Sequence, residues 1–467
     1  MTRLKIYRIL FLALAGMLMQ SCFVAKNYER PDDVVAEDLY RTEVVAKDST
    51  SMADVKWQDL FTDPVLQKHI EKGLQNNFDI RIALQNITAA NAYLKQAKVG
   101  YLPTLSATAS WNHQELARNS QFGAFFDGAL DQYQLSTALS WEADIWGKIR
   151  SNKRAANATY LQTMAANQAV KTEVVTDIAS VYYQLLSLDA QLKLADETLI
   201  NRNESVETII ALKEAGNVNE VGVKQTEAQK YTTELIIEDI KNNIVLLENT
   251  MSILLGEAPH SIERTTFDEQ QLNPEIKLGF SALLLRNRPD VVAAEFGLVN
   301  AFELTNVARA NFYPSLTITA SGGLQSLEIK DLFSTNSIFA NILTGLTQPL
   351  FNQRQIKTQY EVRQAMQEQA YVQFEQALIN ASKEVSDALA NYNNETTKLG
   401  IREKQADALT KAAEYSDELL EYGLVNYLEV LTAKDNALNS ELNLIDNKYR
   451  QFSAVINLYK ALGGGWQ

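Results

Sequence analysis

The chain has 467 residues, 46% hydrophobic and 21% charged, with 43 basic against 57 acidic side chains and a formal net charge of −14. At this length one compact core is not expected; two domains or one elongated architecture is. The acidic balance argues against nucleic-acid binding, which needs a clustered positive footprint. One Cys cannot close an intrachain disulfide, and His69, His113 and His260 are scattered rather than set at metal-ligand spacing. With no P-loop, no dinucleotide motif and no convergent nucleophile and base, neither an enzyme nor a cofactor is expected.

Arg3, Lys5 and Arg8 precede an apolar run from Ile9 to Met19, too short to span a bilayer but suited to the apolar region of a signal peptide over 1–21. The run closes on Gln20-Ser21-Cys22, and a small residue directly before the only Cys resembles the lipobox of bacterial lipoproteins, with Met19 where that motif usually has Leu. On that resemblance Cys22 carries the acyl chains; ordinary secretion beside an incidental Cys is the alternative. No later run reaches 18 uninterrupted apolar residues, so no second membrane helix is expected.

From residue 76 the chain is written twice. Asn76-Asn77-Phe78-Asp79-Ile80, leading to Tyr101-Leu102-Pro103-Thr104-Leu105, returns 211 positions later as Asn287-Arg288-Pro289-Asp290-Val291, leading to Phe312-Tyr313-Pro314-Ser315-Leu316. Gly216-Asn217-Val218-Asn219 returns 207 positions later as Gly423-Leu424-Val425-Asn426, and Leu255-Gly256 as Leu462-Gly463. Separated blocks repeated in one order identify a tandem duplication.

Within each copy, between helical stretches, lie segments of period two. Leu105, Ala107, Ala109 and Trp111 alternate with Ser106, Thr108, Ser110 and Asn112; Tyr133, Leu135, Thr137, Leu139 and Trp141 alternate with Gln134, Ser136, Ala138 and Ser140. Leu316, Ile318 and Ala320 alternate with Thr317, Thr319 and Ser321, and 339–350 is a weaker fourth case. Each is long enough for a tilted membrane strand of ~9–11 residues. Four strands cannot close a barrel, and open edges are not tolerated in lipid, so strands that span imply several chains sharing one barrel. Two soluble hairpins on a helical protein are the other reading of the same periodicity.

Long helices follow. No Pro lies between Pro103 and Pro259 or after Pro349, and Pro is the strongest helix breaker. Val170, Val174, Ile178, Val181, Leu185, Leu188 and Leu192 step by three or four, as do Phe374, Leu378, Ala381, Val385 and Ala388. Returning segments keep the step through Ile237, Ile240, Ile244, Leu247 and Met251, and through Leu438, Leu442, Ile445, Tyr449 and Phe452. Spacing near 3.5 predicts coiled-coil seams on helices from about Lys148 to Leu212 and Arg354 to Glu421.

These features together resemble the TolC-like outer-membrane efflux proteins, in particular the lipoprotein branch that includes OprM. The likeness runs from Cys22 and Asn27-Tyr28-Glu29-Arg30-Pro31 through Trp57-Gln58-Asp59-Leu60-Phe61 and Asp144-Ile145-Trp146-Gly147-Lys148 to Pro349-Leu350-Phe351-Asn352, Tyr422-Gly423-Leu424-Val425-Asn426 and Ala461-Leu462-Gly463-Gly464-Gly465-Trp466. The resemblance implies a mainly α chain with a membrane β portion: a homotrimer whose chains each give four strands to a twelve-stranded barrel, continued by a long periplasmic α-helical barrel. The expected organisation is a signal peptide over 1–21 and a lipid-anchored segment with equatorial region over 22–62. A first repeat over 63–270 has a helix, strands near 103–115 and 131–146 and a long helical hairpin near 148–256. A second over 271–467 has a helix, strands near 314–327 and 338–350 and a long helical hairpin near 353–462. Implied partners are outer-membrane lipid, a periplasmic adaptor and an inner-membrane transporter, with no nucleic acid. The implied work is passive export of small toxic compounds through the outer membrane of a Gram-negative bacterium. An exit duct for type I protein secretion keeps the same fold. A surface lipoprotein that binds nutrients is a further rival, and it leaves the alternating segments and the duplication unexplained.

Residue by residue, Gly216 and Gly423 can reverse the chain between long helices. By resemblance Gly216, Asn217, Val218, Gly423, Leu424 and Val425 are also the exposed tip met by the adaptor. Glu429, with Thr432 one turn on, corresponds to the acidic turn that faces the lumen at the family's periplasmic gate. Thr432 stands where a second acid is common, the duplicate positions Gly222 and Gln225 carry none, and a solvated exterior Glu is the plainer fate for Glu429. Trp141, Trp146 and Phe351 suit either an interfacial aromatic belt or packing where strands become helices. Phe122, Phe125 and Phe126 suggest a loop at the barrel mouth.

Overall fold

Side chains that cap, and glycines that reverse, cut this chain into its elements. The structure is a computed structural model that describes residues 24–31, 51–119, 121, 129–270 and 284–466. Asp63 accepts the amides of Val65 and Leu66 at 2.8 and 3.3 Å and, with Pro64 at the first helical position, starts α1 (Pro64–Asn76). Asn77 does the same for Asp79 and Ile80, starting α2 (Phe78–Lys98). Strands β1 (Thr104–Glu115) and β2 (Ala129–Ala143) lead to α3 (Lys148–Glu214) and α4 (Glu220–Leu254). The order then repeats as α5 (Pro289–Ala310), β3 (Ser315–Ser326), β4 (Ile338–Thr347), α6 (Gln355–Glu421) and α7 (Tyr427–Leu462).

The duplication is geometric as well as textual. Helices α3 and α6 are both 67 residues long, about 100 Å at 1.5 Å per residue. Left-handed backbone recurs at matched places: Gly147 (φ 76°) and Arg354 (φ 67°), Gly216 (φ 82°) and Gly423 (φ 69°), Gly256 (φ 73°) and Gly463 (φ 95°). Two strands end earlier than the alternation suggests. Strand β2 stops at Ala143 because Asp144 turns to cap α3, accepting the amides of Ile149 and Arg150 at 2.8 and 2.9 Å. Strand β4 stops at Thr347, two residues before Pro349, which has no amide to donate to a ladder.

The described residues fall into two compact units. The first comprises Met1–Arg30, Ile87–Gln162 and Ala294–Phe374. In it the four strands form one antiparallel sheet in the order β1-β2-β3-β4. Residues 24–30 are strapped along α5: Asn306 bonds the backbone of Lys26 from both sides (3.3 and 3.0 Å), Arg30 forks onto Glu295 (2.7 and 2.6 Å), and Tyr28 meets Phe302 edge-on.

The second unit comprises Pro31–Asn86, Thr163–Ala293 and Glu375–Gln467. Its core is aromatic, with Phe61 against Tyr459, Tyr183 against Phe452 and Phe267 against Phe452 at ring separations of 6.3, 5.1 and 5.6 Å. Burial on α3 is broader than a two-helix seam, because Val175, Ala179, Tyr182, Tyr183 and Leu186 are buried as well as Val174, Ile178 and Leu185. Each buried Val, Ile or Leu side chain contributes about 1.5–3 kcal/mol. Asp63 is a buried carboxylate matched by hydrogen bonds. Burial alone would raise the Asp63 carboxyl, but donations from Thr265 and Tyr182 and from the amides of Val65 and Leu66 hold it below the usual carboxylate range.

His69 is buried in this unit, with Nε2 2.8 Å from the Glu263 carbonyl oxygen. Burial pushes its imidazole pKa down, against the pull of that hydrogen bond. A group with a depressed cationic pKa binds fewer protons folded than unfolded, so stability is lost as pH falls from the ordinary histidine value toward the folded one. The thermal midpoint in detergent is therefore expected to drop between about pH 7.5 and 5.5, a window that starts above the ordinary histidine pKa, and to drop less in His69→Gln. Equal slopes for the two proteins would show that His69 contributes nothing to acid sensitivity.

Candidate channel wall and helical tips

Strand register sorts the sheet into two chemically distinct faces. Leu105, Ala107, Ala109 and Trp111 stand opposite Leu139, Thr137, Leu135 and Tyr133. Leu139 and Leu135 in turn face Ala320 and Leu324 of β3, and Leu316, Ile318 and Ala320 face Leu346, Thr344 and Ile342 of β4. From Trp111 and Tyr133 at one end to Trp141 at the other, this face carries no charged side chain. The opposite face presents Ser106, Thr108 and Ser110, then Gln134 and Ser136, then Thr317, Thr319 and Ser321. A wall apolar on one side and hydroxyl-rich on the other separates hydrocarbon from water.

Both ends of the apolar face are marked by tryptophans whose indole N–H groups are satisfied. Trp111 donates to Asp131 at 2.7 Å and stacks on Tyr133, and Trp141 donates to the Tyr101 carbonyl at 2.8 Å. Tyr133 and Trp141 are eight residues apart, about 26 Å along a strand and less when tilted, which suits an apolar band of ~25 Å. The sheet is open. Strands β1 and β4 each have one neighbour among the described residues, and β1 is exposed at every position.

In the second unit the two glycine blocks build the same turn. Gly216 and Gly423 donate to the carbonyls of Lys213 and Leu420, and Asn217 and Leu424 reach back to Leu212 and Leu419, all at 2.9 Å. These paired bonds close a helix C-terminus. Glycine is needed for its dihedral and not for room, since nothing lies within 4 Å of where a Cβ would stand. Asn219 and Asn426 then cap α4 and α7, accepting from Val221 and Gly222 and from Glu429. Gly216, Asn217, Gly423 and Leu424 are exposed, Leu424 by 71%. Val218 and Val425 are half-buried instead, one residue before each cap, where an apolar side chain staples the helix entry above buried Val223 and Val430.

Glu429 and Thr432 are both exposed on the first turns of α7. Glu429 accepts the side-chain amide of Asn426 at 2.9 Å, and the Thr432 hydroxyl donates to the Leu428 carbonyl at 2.9 Å. Glu429 thus adds a side-chain contact to the cap of its own helix while remaining exposed. Behind the second tip lies a cluster that sequence patterns do not single out. Arg202 of α3, only 2% exposed, pairs with Asp435 of α7 and donates to Gln229 of α4 at 2.8 Å, while Gln229 also donates to Asp435. Burial raises the Asp435 carboxyl pKa, and the adjacent guanidinium opposes that rise. One available signal is that Arg202 sits at a three-and-four step between apolar Leu199, Val206 and Ile209.

Of the other sequence candidates, Trp146 packs at the strand-to-helix junction, stacked on Tyr313 at 4.8 Å and donating to the Pro314 carbonyl at 2.7 Å. Phe351 is fully exposed. Cys22, Phe122, Phe125 and Phe126 lie outside the described residues.

A two-faced, open-edged sheet and helical hairpins built twice are the parts of a membrane conduit. Residues 69–257 and 281–464 match the family model for outer membrane efflux proteins, and the chain belongs to that family. It is an outer-membrane efflux channel of the TolC type, and such channels are non-catalytic and extend into the periplasm. The cation efflux system protein CusC of Escherichia coli O157:H7 is 28% identical over 458 residues, 97% of each chain. The solvent efflux pump outer membrane protein SrpC of Pseudomonas putida is 28% identical over 428 residues, 90% of this chain and 89% of its own. The crystal structure of a membrane protein from Pseudomonas aeruginosa matches with a TM-score of 0.86 at 26% identity, covering 94% of this chain and 99% of that one.

Arg202 is buried, while the Asp435 carboxylate it pairs with is 36% exposed and can turn to solvent, so removing the guanidinium costs about 1–2 kcal/mol, chiefly in lost charged hydrogen bonds and packing. Arg202→Ala is expected to lower the thermal midpoint accordingly, with Arg202→Lys recovering part of the loss because one ammonium cannot fork between Asp435 and Gln229. An unchanged midpoint in Arg202→Ala would remove the cluster from the forces holding α3, α4 and α7 together.

Proposed function

We propose that three copies of this chain form the outer-membrane exit duct of a tripartite efflux system, each copy giving four strands to one twelve-stranded barrel. The observation that carries this reading is the sheet: an uncharged apolar face, a hydroxyl-rich face and two unpaired edges. In lipid those edges have to be closed by other chains. Cys22 supplies the lipid anchor of the OprM-like branch, with acyl chains adding to an attachment that the barrel dominates. Gly216, Asn217, Gly423 and Leu424 form the surface that receives the periplasmic adaptor, with Val218 and Val425 stapling the turns beneath, and the adaptor joins the duct to an inner-membrane transporter.

The cargo is small toxic compounds. The names of the relatives, for cation efflux and solvent efflux, support small solutes over protein secretion. Energy enters at the inner-membrane partner, so the duct itself is passive. Glu429, repeated around the threefold axis, forms a ring of carboxylates at the periplasmic gate, and such a ring favours cations over anions. Thr432 adds a neutral hydroxyl one turn further on.

Capping and charge at Glu429 are separable. Glu429→Gln keeps an oxygen that can accept from Asn426 and loses the charge, whereas Glu429→Ala loses both. In planar bilayers both variants are expected to lower the cation-to-anion permeability ratio a few-fold, and only Glu429→Ala should also lower thermal stability, by about 1 kcal/mol. An unchanged ratio in Glu429→Gln would place this carboxylate outside the conduction path.

A further inference from the structure

We infer that the free edge of β4 pairs with the free edge of β1 in a second copy of this chain, in the register that the internal duplication copies from the β2–β3 contact. The inference rests on the shared-barrel reading above and takes it to individual residue pairs.

The argument begins with the two hairpins. In the first, Thr104 stands opposite Ser140; in the second, Ser315 stands opposite Thr347. So β1 and β3 are one strand repeated 211 positions on, and β2 and β4 are one strand repeated 207 positions on. The second step holds beyond the strands, since Gly147 and Arg354, also 207 apart, share a left-handed backbone although only one of them is glycine. Where the repeats meet inside the chain, β2 runs antiparallel to β3 with Leu139 opposite Ala320 and Ala138 opposite Ser321. The next contact of that kind is β4 against a following β1. Among the described residues no strand is left to fill that place, and four strands are too few to curl closed on themselves.

Applying the two steps to the β2–β3 register sets Leu346 opposite Ala109 of the neighbouring copy, Gly345 opposite its Ser110, and Thr347 opposite its Thr108. Three independent features agree with this. Strand directions alternate through the sheet, so β4 meets a neighbouring β1 antiparallel, as every other pair does. Faces also match: Leu346 and Ala109 lie on the apolar side, while Gly345, Ser110, Thr347 and Thr108 lie on the other, and a slip of one residue would invert every pair. Finally, exposure is greatest on the edge strands, with Leu346 66% and Trp111 64% exposed and β2 and β3 largely half-buried. The copy departs from its template at one position. Gly323 lets β2 approach so closely that a Cβ there would collide with the Leu135 carbonyl oxygen, and β1 has Asn112 in the corresponding place, so the strands of two copies stand further apart there.

Paired cysteines test the register in the full-length protein in outer membranes. Directly opposed residues in an antiparallel pair stand ~4.5–5.5 Å apart at Cα, within the ~4.4–6.8 Å that a disulfide spans, whereas diagonal neighbours are ~7–8 Å apart. On oxidation with copper phenanthroline, Gly345→Cys with Ser110→Cys, and Thr347→Cys with Thr108→Cys, are expected to give reducible covalent oligomers on denaturing gels. The diagonal pair, Gly345→Cys with Thr108→Cys, is expected to give far less. Stronger linking by the diagonal pair, or none by any pair in a particle of several chains, overturns the register and leaves the shared barrel standing. A particle with the mass of one chain overturns the shared barrel and the register with it.

Discussion

A backbone amide or carbonyl surrounded by hydrocarbon has no water to turn to, and leaving one unpaired costs several kcal/mol. Strands β1 and β4 each present a row of such groups along one edge of the sheet. The uncharged face from Leu105 to Trp111 and from Ile338 to Leu346 belongs in lipid, while the serine- and threonine-rich face belongs in water. These demands are met together only when the sheet is continued until it closes, which makes the edges, and not any pocket or reactive group, the feature from which the biology follows. It also explains why a conduit needs no catalytic residue: its working surface is a wall.

The duplication multiplies a small set of local solutions. A Schellman-type turn at Gly216, followed by an Asn219 cap and a Val218 staple, recurs at Gly423, Asn426 and Val425. Both long outgoing helices run for the same 67 residues. At the tips the repeats differ in their polar contacts. Lys213 pairs with Glu220 across the first tip, while Tyr427 of the second tip reaches the Ser205 carbonyl of α3. The Arg202, Gln229 and Asp435 cluster likewise has no counterpart 207 positions away. Repeated chemistry therefore sets the architecture, and unrepeated chemistry distinguishes one hairpin from the other.

Most of the fold is legible in the sequence because it rests on short-range regularities. Period two around Leu105 and Leu316, a step near 3.5 through Ile178 and Val385, and repeated glycines each show in a window of a few turns. Long-range pairings do not show. Asn306 bonds Lys26 across 280 residues of sequence, and Arg202 meets Asp435 across 233; no local period encodes such a partner. Val218 and Val425 read as exposed tip residues because an apolar side chain in a turn looks available, yet both are half-buried one position before a helix cap. Strand ends are misjudged for a related reason: Asp144 continues the hydrophilic side of an alternation, yet its side chain is already committed to capping α3.

The central claim is that one sheet is only part of a wall. Its most direct test is the mass of the detergent-extracted protein, corrected for bound detergent, by light scattering. The shared barrel predicts a particle of three chains that stays intact on dilution in detergent. A monodisperse single chain retaining native helicity and strand content would contradict it, because the edges of β1 and β4 would then be stable without partners.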